Sequence, residues 1–416
     1  MATSSSYNFT VNRNDIIKSA LRVIGAIATG ETPTNAEITD AAEALNMMIK
    51  YWQTEGIGLW LNKEITLFFQ NDDYDYDLGP NADNAHCSIA SSAIKTELGA
   101  DAAAAASSVT LDSVTGMTDN FDRDAILESS TPAASGALTL DGALVSGSTA
   151  TLPSERKILI YSDGDESGIT FSVTGTDGDG ATVTETITGP DTTTTYSTET
   201  FKTVTAITVS GAGTGNIEIG CVGDHIGIEL DSGTVHWTYF AAALSTTASL
   251  VTALASAAST DNHVYVYTEK IQRPLEIIEA RRVDSTDNET PLSIVSRSEY
   301  MAISDKDSEG TVNQIYYDPQ LTTSTLYVWP EPSDTKERLK MSMKYPIEDF
   351  DASTDNADFP IEWAEALKWN LAERLAPEYG TSLTLEAQKL AMETKDNVMS
   401  FDKETTSIYI QPDYRG

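Results

Sequence analysis

His86-Cys87 and, far along the chain, Cys221 and His225 bring soft metal ligands together in sequence. Cys-x3-His suits zinc by ligand type and spacing. The closely spaced double pairs of structural zinc sites are missing, so the pattern favours a buried free thiol with solvent-facing histidines. The expectation is no metal and no cofactor, with His86, Cys87, Cys221 and His225 as the one candidate ligand set. Asp163-Gly164-Asp165-Glu166 and Asp177-Gly178-Asp179-Gly180 are acid-rich turns, but neither ends in the bidentate Glu of a calcium loop. Asp-Gly serves hairpin turns for backbone reasons alone. All four histidines (86, 225, 236, 263) fall in the middle of the chain, and none lies in a nucleophile motif. Asp224-His225 and Asp261 read as ordinary surface residues, so a hydrolytic triad is not expected and the chain reads as a non-enzyme. Gly211-Ala212-Gly213-Thr214-Gly215 lies between strands rather than before a helix, which argues against a phosphate loop. Tyr316, Tyr317, Tyr327 and Trp329 could stack sugars or bases, but on paired strands such residues more often pack across the sheet.

The chain has 416 residues with 63 acidic against 26 basic side chains, a net charge of −37. A surface of that sign repels phosphate, which speaks against gripping nucleic acid through overall charge. Passing nucleic acid without holding it remains compatible with that charge. Residues 1–10 show no basic start followed by an apolar stretch, and no window suggests a membrane span. Two cysteines cannot make a disulfide framework.

Composition divides the chain. From 86 to 263 there are five basic and 22 acidic residues and one tryptophan, Trp237, with Ala, Ser, Thr and Gly dominant. Before that stretch, Asn12 or Asn14 can cap a helix bearing Ile16, Ile17, Ala20, Leu21, Ile24 and Ile27. Thr34-Asn35-Ala36-Glu37 is a capping box opening a second helix, striped by Ala41, Leu45, Met48, Ile49 and Trp52. Strands follow at 63–69 and 74–78. Within the middle, 170–214 holds 17 threonines. There Thr182–Thr188 and Val204–Val209 alternate between Gly/Asp turns, as strands of a sandwich do. Further strands are expected at 264–268, 275–283, 292–295, 314–317, 325–329 and 339–345. A short helix is expected near 298–303, a helix opened by Phe359-Pro360, and a last one carrying Leu383 to Phe401.

The predicted fold class is therefore α+β: a helical-bundle domain with a small antiparallel β-sheet, split by a large all-β insertion containing an immunoglobulin-like sandwich. The expected boundaries are 1–85 and 264–404 for the host domain, 86–128 and 223–263 for an outer β insertion, and 129–222 for the sandwich. Residues 405–416 are expected as an extended C-terminal arm.

Ala20-Leu21-Arg22-Val23-Ile24-Gly25, Gly30 to Thr34 and the helix 41–52 resemble the N-terminal helical pair of head–tail adaptor proteins of short-tailed bacteriophages. These are also called tail accessory, head-completion or packaged-DNA-stabilisation proteins. Arg273-Pro274-Leu275, Ala280-Arg281-Arg282, Ile315 to Gln320, Leu326 to Pro332, and Phe359 to Leu367 running on to Gly380 continue the resemblance in the expected order. It covers both flanks, a little over half the chain. The middle resembles immunoglobulin-like modules that decorate phage structural proteins. The resemblance implies a dodecameric ring of this chain in the virion, at the head–tail junction, assembled in the host cytoplasm. Its implied partners are the portal protein, a tail nozzle or tail tube protein, and double-stranded DNA passing without tight binding. The arm, with Ile408, Tyr409, Ile410, Tyr414 and Arg415, would dock on the portal. The alternative is a surface-binding module whose sandwich recognises host glycan or capsid.

Overall fold

A computed structural model describes residues 9–56, 58–80, 85–321 and 323–401. The chain forms two compact units, one from residues 1–62 with 346–416 and one from Lys63–Tyr345.

The first unit holds four of the five α-helices found among the described residues. Helix α1, Arg13–Val23, is capped by Asn12, whose side chain accepts from the Asp15 amide. Helix α2, Asn35–Gln53, starts on the complete Thr34/Glu37 capping box. Together these satisfy amide donors that a helix start leaves without intrahelical partners. In the second unit α3, Arg297–Met301, has a capping box of its own from Ser296 and Glu299. Helices α4, Ala364–Glu378, and α5, Leu385–Phe401, complete the first unit. Leu21, Leu45, Met48, Ile49, Trp52, Trp363, Leu367, Leu371 and Leu375 make one core there. Trp52 and Trp363 lie 5.8 Å apart between ring centroids.

The second unit overturns the expected fold class. The protein is mostly β, 38% strand against 19% helix, with several antiparallel sheets. It is not a helical bundle with a small sheet split by an insertion. The reason lies in the flanks as well as the middle, because the flanks build β-sheets as well as helices. They form a five-stranded sheet of Glu289–Pro291, Glu276–Val283, Arg338–Lys344, Asn62–Phe68 and His86–Ile89, in that order. A four-stranded sheet of Asp75–Leu78, Ser324–Trp329, Gln314–Asp318 and Ser293–Ile294 shares a core with it.

The expected two-layer sandwich is one eight-stranded sheet about a single core that includes Ile126, Ile158, Phe171, Phe201 and Ile219. Its strands begin with Asp122–Ser130 and end with Ile217–Cys221. Two long strands, Thr149–Ser162 and Thr194–Val209, carry register shifts where they pair. Such bulges bend a strand, so one sheet can turn around the core without a break. Period-two alternation reports that a strand has a buried face and says nothing of whether two layers are separate sheets. Beside this module, His225–Glu229 pairs with Val235–Tyr239 and with His263–Tyr267, which in turn pairs with Ile94–Glu97.

The acid-rich turns serve the backbone. Glu166 is 1% exposed, and its Oε1 accepts from the amides of Thr214 (2.9 Å) and Gly215 (2.7 Å). Asp177 Oδ1 accepts from the amides of Asp179 and Ala181 at 3.0 and 2.8 Å. Glu166→Ala strands those two amides inside the module. It is expected to cost ~2–4 kcal/mol, read as a lowered urea midpoint with unchanged slope. A midpoint shift no larger than that of an exposed Glu→Ala would show that water replaces the carboxylate.

Candidate functional site

In the strand His86–Ile89 successive side chains point to opposite faces. Cys87 enters the core of the five-stranded sheet, while His86 joins an aromatic cluster on the other side. His86 stacks on Trp237 at 3.8 Å and 8°, and its Nδ1 meets the Tyr267 hydroxyl at 2.6 Å. His225 faces Tyr267 across the strand pair and stacks on its ring at 4.4 Å and 9°. Phe68 packs against Trp237, Tyr265 and Tyr267. Gly227 leaves room for the indole: a Cβ there would lie 2.6 Å from the Trp237 ring.

The two imidazoles thus converge, with ring centroids 6.3 Å apart. His86 is half-buried and His225 buried, which corrects the expectation of solvent-facing histidines. Alternation along a strand cannot reveal that both faces are covered. Burial pushes both imidazoles well below the ordinary histidine value, and the positive charge of Lys270 acts in the same direction. His225 Nδ1 and Trp237 Nε1 are buried without a hydrogen-bond partner among the described residues. Both rings are held neutral.

The cysteines do not join them. Cys221 lies in the core of the eight-stranded module, with its thiol 3.8 Å from the Asn120 carbonyl oxygen. Burial raises the Cys221 thiol to about 11 and raises Cys87 as well. The four candidate ligands therefore divide among separate cores. Among the described residues no group of three or more His, Cys, Asp or Glu side chains is placed to hold a metal ion.

Sequence reasoning missed the residue next to His225. Asp224 is 1% exposed, not a surface acid, and it pairs with Arg156, which is fully buried. Arg156 comes from the strand Thr149–Ser162 of the eight-stranded module, and its Nη1 donates to the Val222 carbonyl at 3.2 Å. Asp224 also accepts from the Asn120 amide (3.0 Å) and from the hydroxyls of Thr118 (3.1 Å) and Thr268 (2.9 Å). A buried carboxylate with this many donors is well compensated, and it ties four segments together. The available signal was a lone arginine inside an alternating apolar strand, which demands an anion wherever that face is buried.

Tyr316 faces Tyr327 directly across paired strands, with rings 5.6 Å apart and 11° from parallel. Tyr300 of α3 stacks on Tyr316 at 5.5 Å, and Tyr74 on Tyr327 at 6.5 Å. Tyr317 points elsewhere, donating its hydroxyl to the Pro274 carbonyl, and Trp329 Nε1 donates to the Asp305 carbonyl at 2.9 Å. The four residues the sequence grouped as one cluster thus divide between cross-strand stacking and separate anchoring.

The arm residues Ile408, Tyr409, Ile410, Tyr414 and Arg415 lie outside the described residues. No helix among the described residues is long and apolar enough to cross a membrane. No protein-family model matches the chain, and no curated protein matches it.

Proposed function

We propose that this chain is a virion structural protein, a subunit of a ring between portal and tail that joins head to tail. In that place it helps retain packaged DNA and lets it pass during ejection, with the portal, a tail nozzle or tube protein and its own copies as partners. The observation that carries the reading is the ordered set of sequence pieces on both flanks. Two of those pieces, Ala20–Gly25 and Phe359–Gly380, supply Leu21, Trp363, Leu367 and Leu371 to the same core. The acid surplus suits a passage, since negative walls raise the energy of close phosphate contact and leave the duplex mobile. Screening over about 8 Å restricts that effect to whichever residues face the DNA.

The test is assembly. Purified full-length chain mixed with the portal is expected to form a complex with ring stoichiometry, counted by electron microscopy. Removing residues 405–416 is expected to abolish it while leaving the thermal transition unchanged. Full-length chain that remains monomeric beside the portal would sink the proposal. One observation favours the second reading, recognition of glycan or capsid by the eight-stranded module. A cleft of about 330 Å³ there is lined by Ser129, Ser130, Ser135, Thr139 and Asp141 among others. Saturable glycan binding by the full chain, lost on filling that cleft with Ala134→Trp, would favour that reading instead.

A further inference from the structure

The eight-stranded sheet ends on Asp122–Ser130 at one side and on Thr182–Thr188 at the other. The first edge is covered by the chain doubling back on it. The amides of Leu144 and Gly142 donate to the carbonyls of Ala125 (2.9 Å) and Ile126 (3.1 Å), and the Glu128 amide donates to Asp141 Oδ1 at 3.0 Å. The second edge is bare. All seven residues of Thr182–Thr188 pair with Thr170–Thr176, and among the described residues none of their backbone groups forms a hydrogen bond outside that ladder. A row of unpaired amides and carbonyls is a template for one more strand.

The devices that protect an edge are lacking there too. The pairing runs through all seven residues without a register shift, so no bulge turns the edge away. The strand holds no proline and no lysine. Its one charged side chain, Glu185, turns back into the module, where its carboxylate accepts from the amides of Thr198 (2.8 Å) and Glu199 (3.0 Å). Val183 and Ile187 pack on the core, while Thr182, Thr184, Thr186 and Thr188 are exposed on the opposite face. A strand completing this sheet therefore needs apolar side chains at alternate positions and polar ones between them.

The chain itself carries such a segment. Helix α5 ends at Phe401, and residues 402–416 follow it. Thr405-Thr406-Ser407-Ile408-Tyr409-Ile410-Gln411 is uncharged, equals the edge in length and is dense in β-branched residues. Thr406, Ile408 and Ile410 alternate with Thr405, Ser407, Tyr409 and Gln411. Laid antiparallel with Ser407 opposite Thr186, this segment sets Thr406 and Ile410 opposite Ile187 and Val183 on the core face. Pro412 has no amide to donate and ends the pairing. We infer that residues 405–411 of a neighbouring copy add to the Thr182–Thr188 edge as a further strand. Each copy then holds one donor and one acceptor, the heterologous contact from which rings are built. In naming a neighbouring copy as donor the inference rests on the ring reading, and it leaves Tyr414 and Arg415 for the portal.

The test mixes full-length copies carrying Thr186→Cys with copies carrying Ser407→Cys, under oxidised glutathione at physiological salt. A disulfide between them is expected to form about tenfold or more faster than when Thr208→Cys replaces Thr186→Cys, because pairing holds the two thiols within bonding distance. Thr208 is exposed on the same module, and the native Cys87 and Cys221 are buried away from the reaction. Adding Ile408→Asp and Ile410→Asp to the donor is expected to abolish that advantage with the melting temperature unchanged. Equal rates at Thr186 and Thr208 would overturn the inference. Thr186→Cys copies joining one another as fast would also overturn it, since two edges would then be pairing with each other. So would a copy carrying both substitutions that closes on itself at high dilution, since the arm would then serve its own edge. The crosslink is read on the chain alone and the ring is counted beside the portal, so a failure of one is distinct from a failure of the other.

Discussion

Asp224→Ala is expected to destabilise the Lys63–Tyr345 unit by ~3–5 kcal/mol, with a melting temperature lower by on the order of 10 °C. The change leaves the Arg156 guanidinium buried without an anion, holding only the Val222 carbonyl at 3.2 Å. Arg156→Ala should cost less. The carboxylate it leaves behind keeps donors from Asn120, Thr118 and Thr268 at 3.0, 3.1 and 2.9 Å. Replacing both partners by apolar residues, Arg156→Met with Asp224→Leu, should recover most of the loss, because no unpaired charge remains. The two single variants and the double one form a cycle measurable by thermal or urea unfolding. If Asp224→Ala proves as mild as an exposed substitution, water reaches the guanidinium and the pair is not sealed.

Acid should weaken the same unit above the range where carboxylates titrate. His86 and His225 have folded-state values well below 6.5, so the unfolded chain takes up protons first as the pH falls. Bound protons then favour the unfolded state, and stability rises with pH. The contribution is fully present above pH 6.5 and is lost progressively toward the lower folded values. The two groups act in the same direction, so their losses add. His263, lowered to about 4 mainly by burial, acts in the same direction. Urea unfolding of the wild type and of His86→Phe/His225→Phe across that interval gives the comparison. The variant keeps rings to stack on Trp237 and Tyr267, and its stability should change less with pH across that interval. Equal slopes would mean that the imidazoles reach water in the folded state.

Local features were legible in the sequence because they depend on neighbours in sequence. The Thr34/Glu37 box and the α2 stripe stand where expected. The threonine-rich alternation of Thr182–Thr188 is a strand with that same span. The balance of classes was misjudged. Short flank strands such as Glu289–Pro291 and Glu309–Gly310 carry weak periodicity, while helices announce themselves with caps, so helix was given too much weight. The candidate ligands were misplaced for a related reason. Adjacent residues of a strand diverge, so His86-Cys87 could never have served one metal, and that follows only once the segment is known to be a strand.

The amino-acid order by itself determined the helix starts, the alternating strands, the turn chemistry and the charge of −37. Each of these depends on residues within a few positions of one another, or on a simple sum. Tertiary structure alone decided that Asp224 meets Arg156, that His86 and His225 converge, and that Cys87 and Cys221 lie in separate cores. Those outcomes turn on which faces of distant strands are covered and by what. Pairing register between segments scores of residues apart sets that, and no local period encodes it.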